Sequence, residues 1–420
     1  MRPTAIISWA IIAVIAIGLP VRMHLSQRTS GPGDHASGPD VQFQIQGRYA
    51  LGAARTIPEH GPQMIRQVEE IAGRPEQKIA VAILAGEVMG ADAAVSRLRA
   101  IGDPEAESIA QLYADPHSAM PAPEFAETHP WFFQLARLNH RPPLDPERTA
   151  VLAGADRAFR VMFIVFMSIL FCCALGLALL LTGIILLATK GASFRTTAPA
   201  GPAHMYVEAV ALYLLLYIGA SIAISVLLPG ASLLLRVVPL VAVVMFAASW
   251  PLIRGVSWAD YTRDIGWHTG RGWFMEIGAG VLGYLASLPL LAVGFFISFG
   301  LMRLSGEQPT HPIINEFQRV SPWVLLLIVS VLAPLTEELM FRGVLVSHMR
   351  AGVGIFLCAA ISGLIFAAIH PQGWVLIPVL GSMGFALAII RQWRDSLIAS
   401  ITAHAIHNGI VVCIALALLR

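Results

Sequence analysis

The chain has 420 residues, 56% of them hydrophobic and 13% charged, and its mean hydropathy is +0.69. Soluble domains carry about 25% charged residues, so the composition excludes an ordinary globular enzyme and describes an integral membrane protein with a hydrophilic insert. The formal net charge of +2 comes with no basic tract, which gives no ground for a nucleic-acid partner, and the four cysteines (Cys172, Cys173, Cys358, Cys413) lie in apolar runs without CxxC spacing, so no disulfide framework is legible.

Residues Thr4 to Val21 form an apolar run behind Arg2. The run is as long as a spanning helix, and no small-x-small cleavage site follows between Met23 and Ser30. The sequence therefore reads as an uncleaved N-terminal anchor over residues 1–23 rather than a signal peptide. From 24 to 156 the composition is hydrophilic. A Gly/Pro/Ser stretch from Ser30 to Pro39 opens it, and helical signals follow over Pro62–Ala72, Gln77–Met89, Asp92–Ile101 and Pro104–Tyr113. Pro142, Pro143 and Pro146 mark the return to the membrane. No clean 34-residue self-match supports a repeat array, which leaves a small, mainly helical domain, either passive or a binding module for a protein partner.

Residues 157–420 form a membrane bundle. Spans are predicted near Ala158–Thr189, Tyr206–Leu228, Ser232–Ile253, Phe274–Met302, Pro322–Val346, Val353–Ile369, Val375–Ile390 and Leu397–Leu419, making about nine with the anchor. The predicted fold is all-α, a multi-pass transmembrane helical bundle. Arg2, Lys190, Arg195, Arg254, Arg263, Arg271, Arg350, Arg391 and Arg394 all fall on one side of this arrangement. By the positive-inside rule that side is cytoplasmic, which places 24–156 outside, with Arg420 the exception.

The fifth of these spans carries Glu337, Glu338 and Arg342 inside an oily helix. An ionised side chain near a bilayer centre costs roughly 2.5–3.5 kcal/mol on insertion scales, so three in six positions need a reason. Glu338 and Arg342 are four apart and share a face, so they pair. Glu337 lies about 100° round the helix and has no such partner. Pro334 removes a backbone hydrogen bond and predicts a kink just before the acids. Two further polar sets follow: Phe366 with His370, which precedes Pro371 and so belongs at a helix end, and His404 with Asn408, one helical turn apart.

One carboxylate, two imidazoles and one amide on three helices can assemble around a water. Glu337 would take its proton as general base, His370 would hold the water or relay the proton, and His404 and Asn408 would stabilise an oxyanion. None of the thirteen histidines precedes a glutamate, so there is no HExxH zinc helix; Ala360-Ile361-Ser362-Gly363 lacks the leading glycine of GxSG, and no GxGD occurs in a predicted span, Gly31-Pro32-Gly33-Asp34 lying in the hydrophilic stretch. A zinc site built from Glu337, His370 and His404 is chemically allowed, although the reading without a cofactor is favoured. Helix counting strains the picture: His370 lies some seventeen residues from Val353, at the far end of its span.

The motifs Glu337-Glu338-Leu339-Met340-Phe341-Arg342, Phe366-Ala367-Ala368-Ile369-His370 and His404-Ala405-Ile406-His407-Asn408 resemble, intact and in order, the EExxxR, FxxxH and HxxxN signature of the CPBP family (CAAX protease and bacteriocin-processing enzymes). The resemblance covers about Pro322 to Val412, under a quarter of the chain. It implies an intramembrane endopeptidase acting on a membrane-associated protein or peptide, with Glu337 and His370 activating water, His404 and Asn408 at the oxyanion, and Glu338, Arg342 and Phe366 as supports. It also implies two alternatives: a metalloprotease, and a non-proteolytic scaffold or immunity protein binding partners through the helical domain. A transporter is a third class, for which the sequence offers no second acidic span. A bacterial plasma membrane is the expected setting.

Overall fold

The computed structural model describes residues 2–29, 41–114, 124–189, 191, 194, 198–307, 316 and 320–419. The stretch from Ser30 to Pro39, Lys190, Arg195 and most of the loop from Arg303 to Arg319 lie outside these residues. Among the described residues every regular element is helical. The chain forms two compact units, Met1–Gln27 with Ile169–Val412, and Arg28–Ser168 with Cys413–Arg420.

The first helix is α1 (Pro3–Thr29). At about 1.5 Å per residue its 27 residues reach about 40 Å, enough to cross a bilayer. Ala5 and Ile12 are buried in the core of their unit, and Trp9 donates its indole N–H to His348 Nε2 at 3.0 Å.

The hydrophilic unit is built from α2 (Val41–Thr56), α3 (Gly61–Glu69), α4 (Pro75–Met89), α5 (Ala91–Ile101), α6 (Pro104–Ala114), α7 (Glu124–Thr128) and α8 (Pro130–Leu138). Of these, α2, α7 and α8 go beyond the segments read from sequence. Glycine and proline set the joints: Gly90 and Gly102 both have positive φ, and four of the helices begin at or one residue before a proline. The core gathers Leu51, Ile65, Ile79, Ile83, Leu84, Leu98, Ile109 and Phe132. Arg148 closes it with a 2.7 Å bond to Glu87 and another to Leu138 O.

The remaining helices are α9 (Pro146–Ala188), α10 (Ala203–Leu227), α11 (Leu233–Ala248), α12 (Trp250–Ile253), α13 (Trp258–Ile265), α14 (Trp273–Ser305), α15 (Pro322–Met349), α16 (Ile355–Ala368), α17 (Ile377–Arg394) and α18 (Leu397–Leu419). Seven of the nine predicted spans are long and apolar enough to cross a membrane; α11 and α16, with 16 and 14 residues, are shorter apolar helices. The chain is an integral membrane protein. Its membrane core packs Tyr206, Val210 and Leu214 of α10 against Phe341, Val344 and Leu345 of α15, with Phe366 of α16 beside them.

Several of the basic residues assigned to one side of the membrane have side-chain partners. Arg2 meets His204, Arg254 pairs with Glu208, Arg350 and Arg391 share Asp395, and Arg394 forms a two-bonded pair with Glu276. Glu208, to which the sequence assigned no role, thus belongs to this girdle.

Candidate active site

Helix α15 is not a uniform span. Two stretches, Leu327–Leu332 and Leu339–Leu345, close their hydrogen bonds five residues back rather than four, and a normal α turn, Ala333–Glu338, lies between them. Such wide turns recur at functional sites. Pro334 contributes to the first: it has no N–H, so the carbonyl one wide turn earlier, Val329 O, receives no bond from it. Asn408 of α18 supplies one through Nδ2, at 2.9 Å. The kink expected at Pro334 takes the form of this wide turn.

Glu338 and Arg342 are each 0% exposed and bonded at 2.9 Å. The guanidinium also donates to Gly384 O at 2.9 Å and lies 4.5 Å above the ring of Phe366. Gly384 O is within reach because α16 and α17 cross at van der Waals distance; a Cβ on Gly384 would stand 2.7 Å from the Cα of Gly363. Phe366 packs on every member of the group, with ring centroids 4.2 Å from His370, 5.9 Å from His404 and 5.4 Å from Phe341.

The histidine tautomers follow from their partners. Nδ1 of His404 lies 3.0 Å from Glu338 Oε1, an acceptor, so it carries hydrogen and Nε2 turns toward Glu337 Oε2 at 3.6 Å. His370 sits just past the end of α16. Its own N–H bonds back to Ala367 O and Pro371 has none to offer, so Phe366 O is left for the imidazole Nδ1. Nε2 of His370 then faces Glu337 Oε2 at 3.9 Å. The side chains of Glu337, His370 and His404 are 26%, 16% and 4% exposed, so the point they face is reachable.

Three acceptor atoms therefore converge: one carboxylate oxygen and two imidazole nitrogens. Acceptors do not bond to each other, and 3.6 and 3.9 Å exceed hydrogen-bond length. A species that carries protons or positive charge fits the gap. Zinc accepts these donor types, and each imidazole is braced through its second nitrogen as a metal-bound one would be. Yet no three His, Cys, Asp or Glu side chains among the described residues converge closely enough to hold a metal ion.

The structure brings Glu337, His370 and His404 together, and places Glu338, Arg342 and Phe366 directly behind them. The strain from helix counting disappears because α16 is only 14 residues long, about 21 Å. That is shorter than the hydrocarbon thickness of about 30 Å, so distance from its start does not measure depth. Asn408, one turn beyond His404, puts one amide hydrogen on Val329 O and has a second left to donate. Sequence reasoning missed Gly363 and Gly384, although Ala359, Gly363 and Ala367 form a small-xxx-small series, the signal for close helix packing.

Fold and site define a polytopic, all-helical membrane protein with a carboxylate and two imidazoles gathered between its spans. Residues 319–410 match the family model described as type II CAAX prenyl endopeptidase Rce1-like, the stretch that carries the three motifs, so the resemblance read from them is borne out. The chain is 30% identical over 99 residues to the uncharacterized protein YpbD of Bacillus subtilis (strain 168), 23% of this chain and 47% of that protein. It is 28% identical over 124 residues to the membrane-embedded CAAX protease MroQ of Staphylococcus aureus (strain USA300), 28% of this chain and 50% of that protein. It thus spans about half the length of these relatives. No solved structure matches.

Proposed function

We propose that the chain is an intramembrane endopeptidase that hydrolyses a peptide bond of a membrane-associated protein or peptide with activated water. The observation that carries this reading is the convergence of His370 Nε2 and His404 Nε2 on Glu337 Oε2, at 3.9 and 3.6 Å, three acceptors around one gap. Water in that gap donates to Glu337 and His370 and presents an oxygen lone pair to a carbonyl carbon. As the C–O bond forms, Glu337 takes one proton of the water; the tetrahedral oxyanion is met by Asn408 through its second amide hydrogen and by His404 Nε2, which takes up a proton from solvent when substrate binds and returns it afterwards, while Nδ1–H keeps its hydrogen bond to Glu338. Collapse breaks the C–N bond, and the proton passes from Glu337 to the leaving amine. Glu338 and Arg342 act as supports: they fix His404, and Phe366 fixes both imidazoles.

The protease family of the matched segment supports the reaction class. The basic residues gathered at one set of helix ends support a cytoplasmic N-terminus with residues 24–156 outside, and both relatives being bacterial supports a bacterial plasma membrane. The test is quantitative mass spectrometry of membrane proteins from cells carrying the wild type or Glu337→Gln. The expected result is a small set of uncleaved precursors in the variant, which also names the substrate. Unchanged precursor and product levels would sink the proposal.

A further inference from the structure

The segment 371–376 joins His370 to α17; Val375 buries its side chain, and the segment has few hydrogen bonds of its own. Pro371 offers no N–H, and Gly373 adopts φ 97° and ψ 161°, a region that side-chain-bearing residues avoid. The backbone bond from Leu376 N to Gly373 O is 3.3 Å long. The strong tie is made by Trp374, whose indole N–H donates to Glu307 Oε1 at 2.8 Å. The same oxygen lies 2.6 Å from His24 Nδ1 of α1, and the rings of His24 and Trp374 meet edge to face at 5.7 Å. Glu307 follows Gly306, the left-handed cap that ends α14, and its side chain is only 12% exposed. One carboxylate thus fastens the ends of two helices and the loop that begins at His370.

A carboxylate withdrawn from water at a helix end is costly, and the proposed reaction does not consume it. What it does supply is position. The His370 ring is fixed to α16 through Phe366, but the backbone at 370 is held only by a loose last turn, with N–H to O of 3.2 Å. The loop must therefore be restrained from its other side, four residues on. We infer that Glu307 is a positioning residue: by holding Trp374 it sets where His370 meets Glu337. The inference rests on the hydrolytic reading above, in which the 3.9 Å gap between these residues must admit one bridging water. A displacement of about 1 Å in such a site costs up to 10²-fold in rate.

The full-length protein in detergent tests this in two ways. Hydrogen–deuterium exchange of 370–377 should accelerate at least tenfold in Glu307→Ala and in Trp374→Phe, while peptides from α15 stay unchanged. Glu307→Gln keeps an oxygen for the indole and should exchange as the wild type does. On a peptide carrying the cleavage site found by the precursor comparison, Glu307→Ala and Trp374→Phe should lower kcat 10- to 100-fold with KM within twofold, and Glu307→Gln should restore kcat. Unchanged exchange in both disrupting variants, or a loosened loop with undiminished kcat, overturns the inference. A Glu337→Gln variant that still cleaves would refute the protease reading instead, and the exchange rates would still decide whether Glu307 holds the loop.

Discussion

Replacing Arg342 with methionine should damage this protein more than replacing Arg342 and Glu338 together. In the wild type both side chains are fully buried and bonded at 2.9 Å. Methionine fills much of the arginine's volume but leaves the buried Glu338 carboxylate without its guanidinium and Gly384 O without its donor. Leaving one partner of a buried pair uncompensated costs about 3–5 kcal/mol, whereas swapping both for groups of similar shape is close to neutral. The Glu338→Gln, Arg342→Met double variant should therefore recover most of the loss, with about 1 kcal/mol remaining for the bond to Gly384 O. Unfolding in mixed micelles by titration with SDS, followed by circular dichroism, reads both numbers. If the double variant is as unstable as Arg342→Met alone, or Arg342→Met loses under about 1 kcal/mol, the charge-pair argument is wrong.

Asn408→Leu orphans Val329 O and should destabilise the protein by about 1–3 kcal/mol; it should also slow cleavage by about 10²-fold, a loss that Asn408→Asp does not fully repair because it returns no N–H. Gly384→Ala drives a Cβ to 2.7 Å from backbone at Gly363, and its cost of about 1–3 kcal/mol should appear in the same SDS titration. Treatment with 1,10-phenanthroline should leave cleavage intact; loss of activity restored by added zinc would replace the water mechanism with a metal one. Asp145 caps α9 by accepting from Arg148 N at 3.1 Å and Glu147 N at 2.9 Å. The Arg148 N–H and then the Arg141 side chain hold its carboxyl below the usual range. A lowered folded value stabilises the native state above the unfolded pKa, about 3.9, and that contribution fades as pH falls through the folded value. Amide exchange at 146–149 should therefore differ between the wild type and Asp145→Asn at pH 6 and converge in stronger acid.

The membrane helices were legible because a bilayer demands long apolar runs, although α9 begins at Pro146, well before the apolar run predicted from Ala158, because a helix can extend through polar residues beyond the bilayer. The hydrophilic unit was less legible: Asp40 and Pro58 flank α2, but its sequence Val41–Thr56 is nearly balanced between polar and apolar residues and shows no clear apolar stripe. At the site, helix angle alone separated Glu338, which meets Arg342, from Glu337, which does not. Helix angle did not show what holds Asn408. It shares a face with His404, yet its amide answers a carbonyl that Pro334 leaves bare, a relation between two helices that no single-helix pattern contains. The distance from His370 to Glu337 was unreadable for a related reason, because residue counting assumes that every helix starts at the same depth.

The two wide turns of α15 give the glutamates an unusual mechanical address. Each turn holds about one residue more than an α turn, so removing a single residue from 327–332 would restore ordinary helix and swing everything beyond it by about 100°. Glu337 would leave the histidines, and Glu338 would leave His404 and carry Arg342 away from Gly384 O, with no side chain altered. The helix works like a combination dial with two extra clicks, one on either side of the acids. A deletion at Val331 paired with an insertion after Leu335 should bring the acids out of phase and back in, and so tell orientation apart from composition.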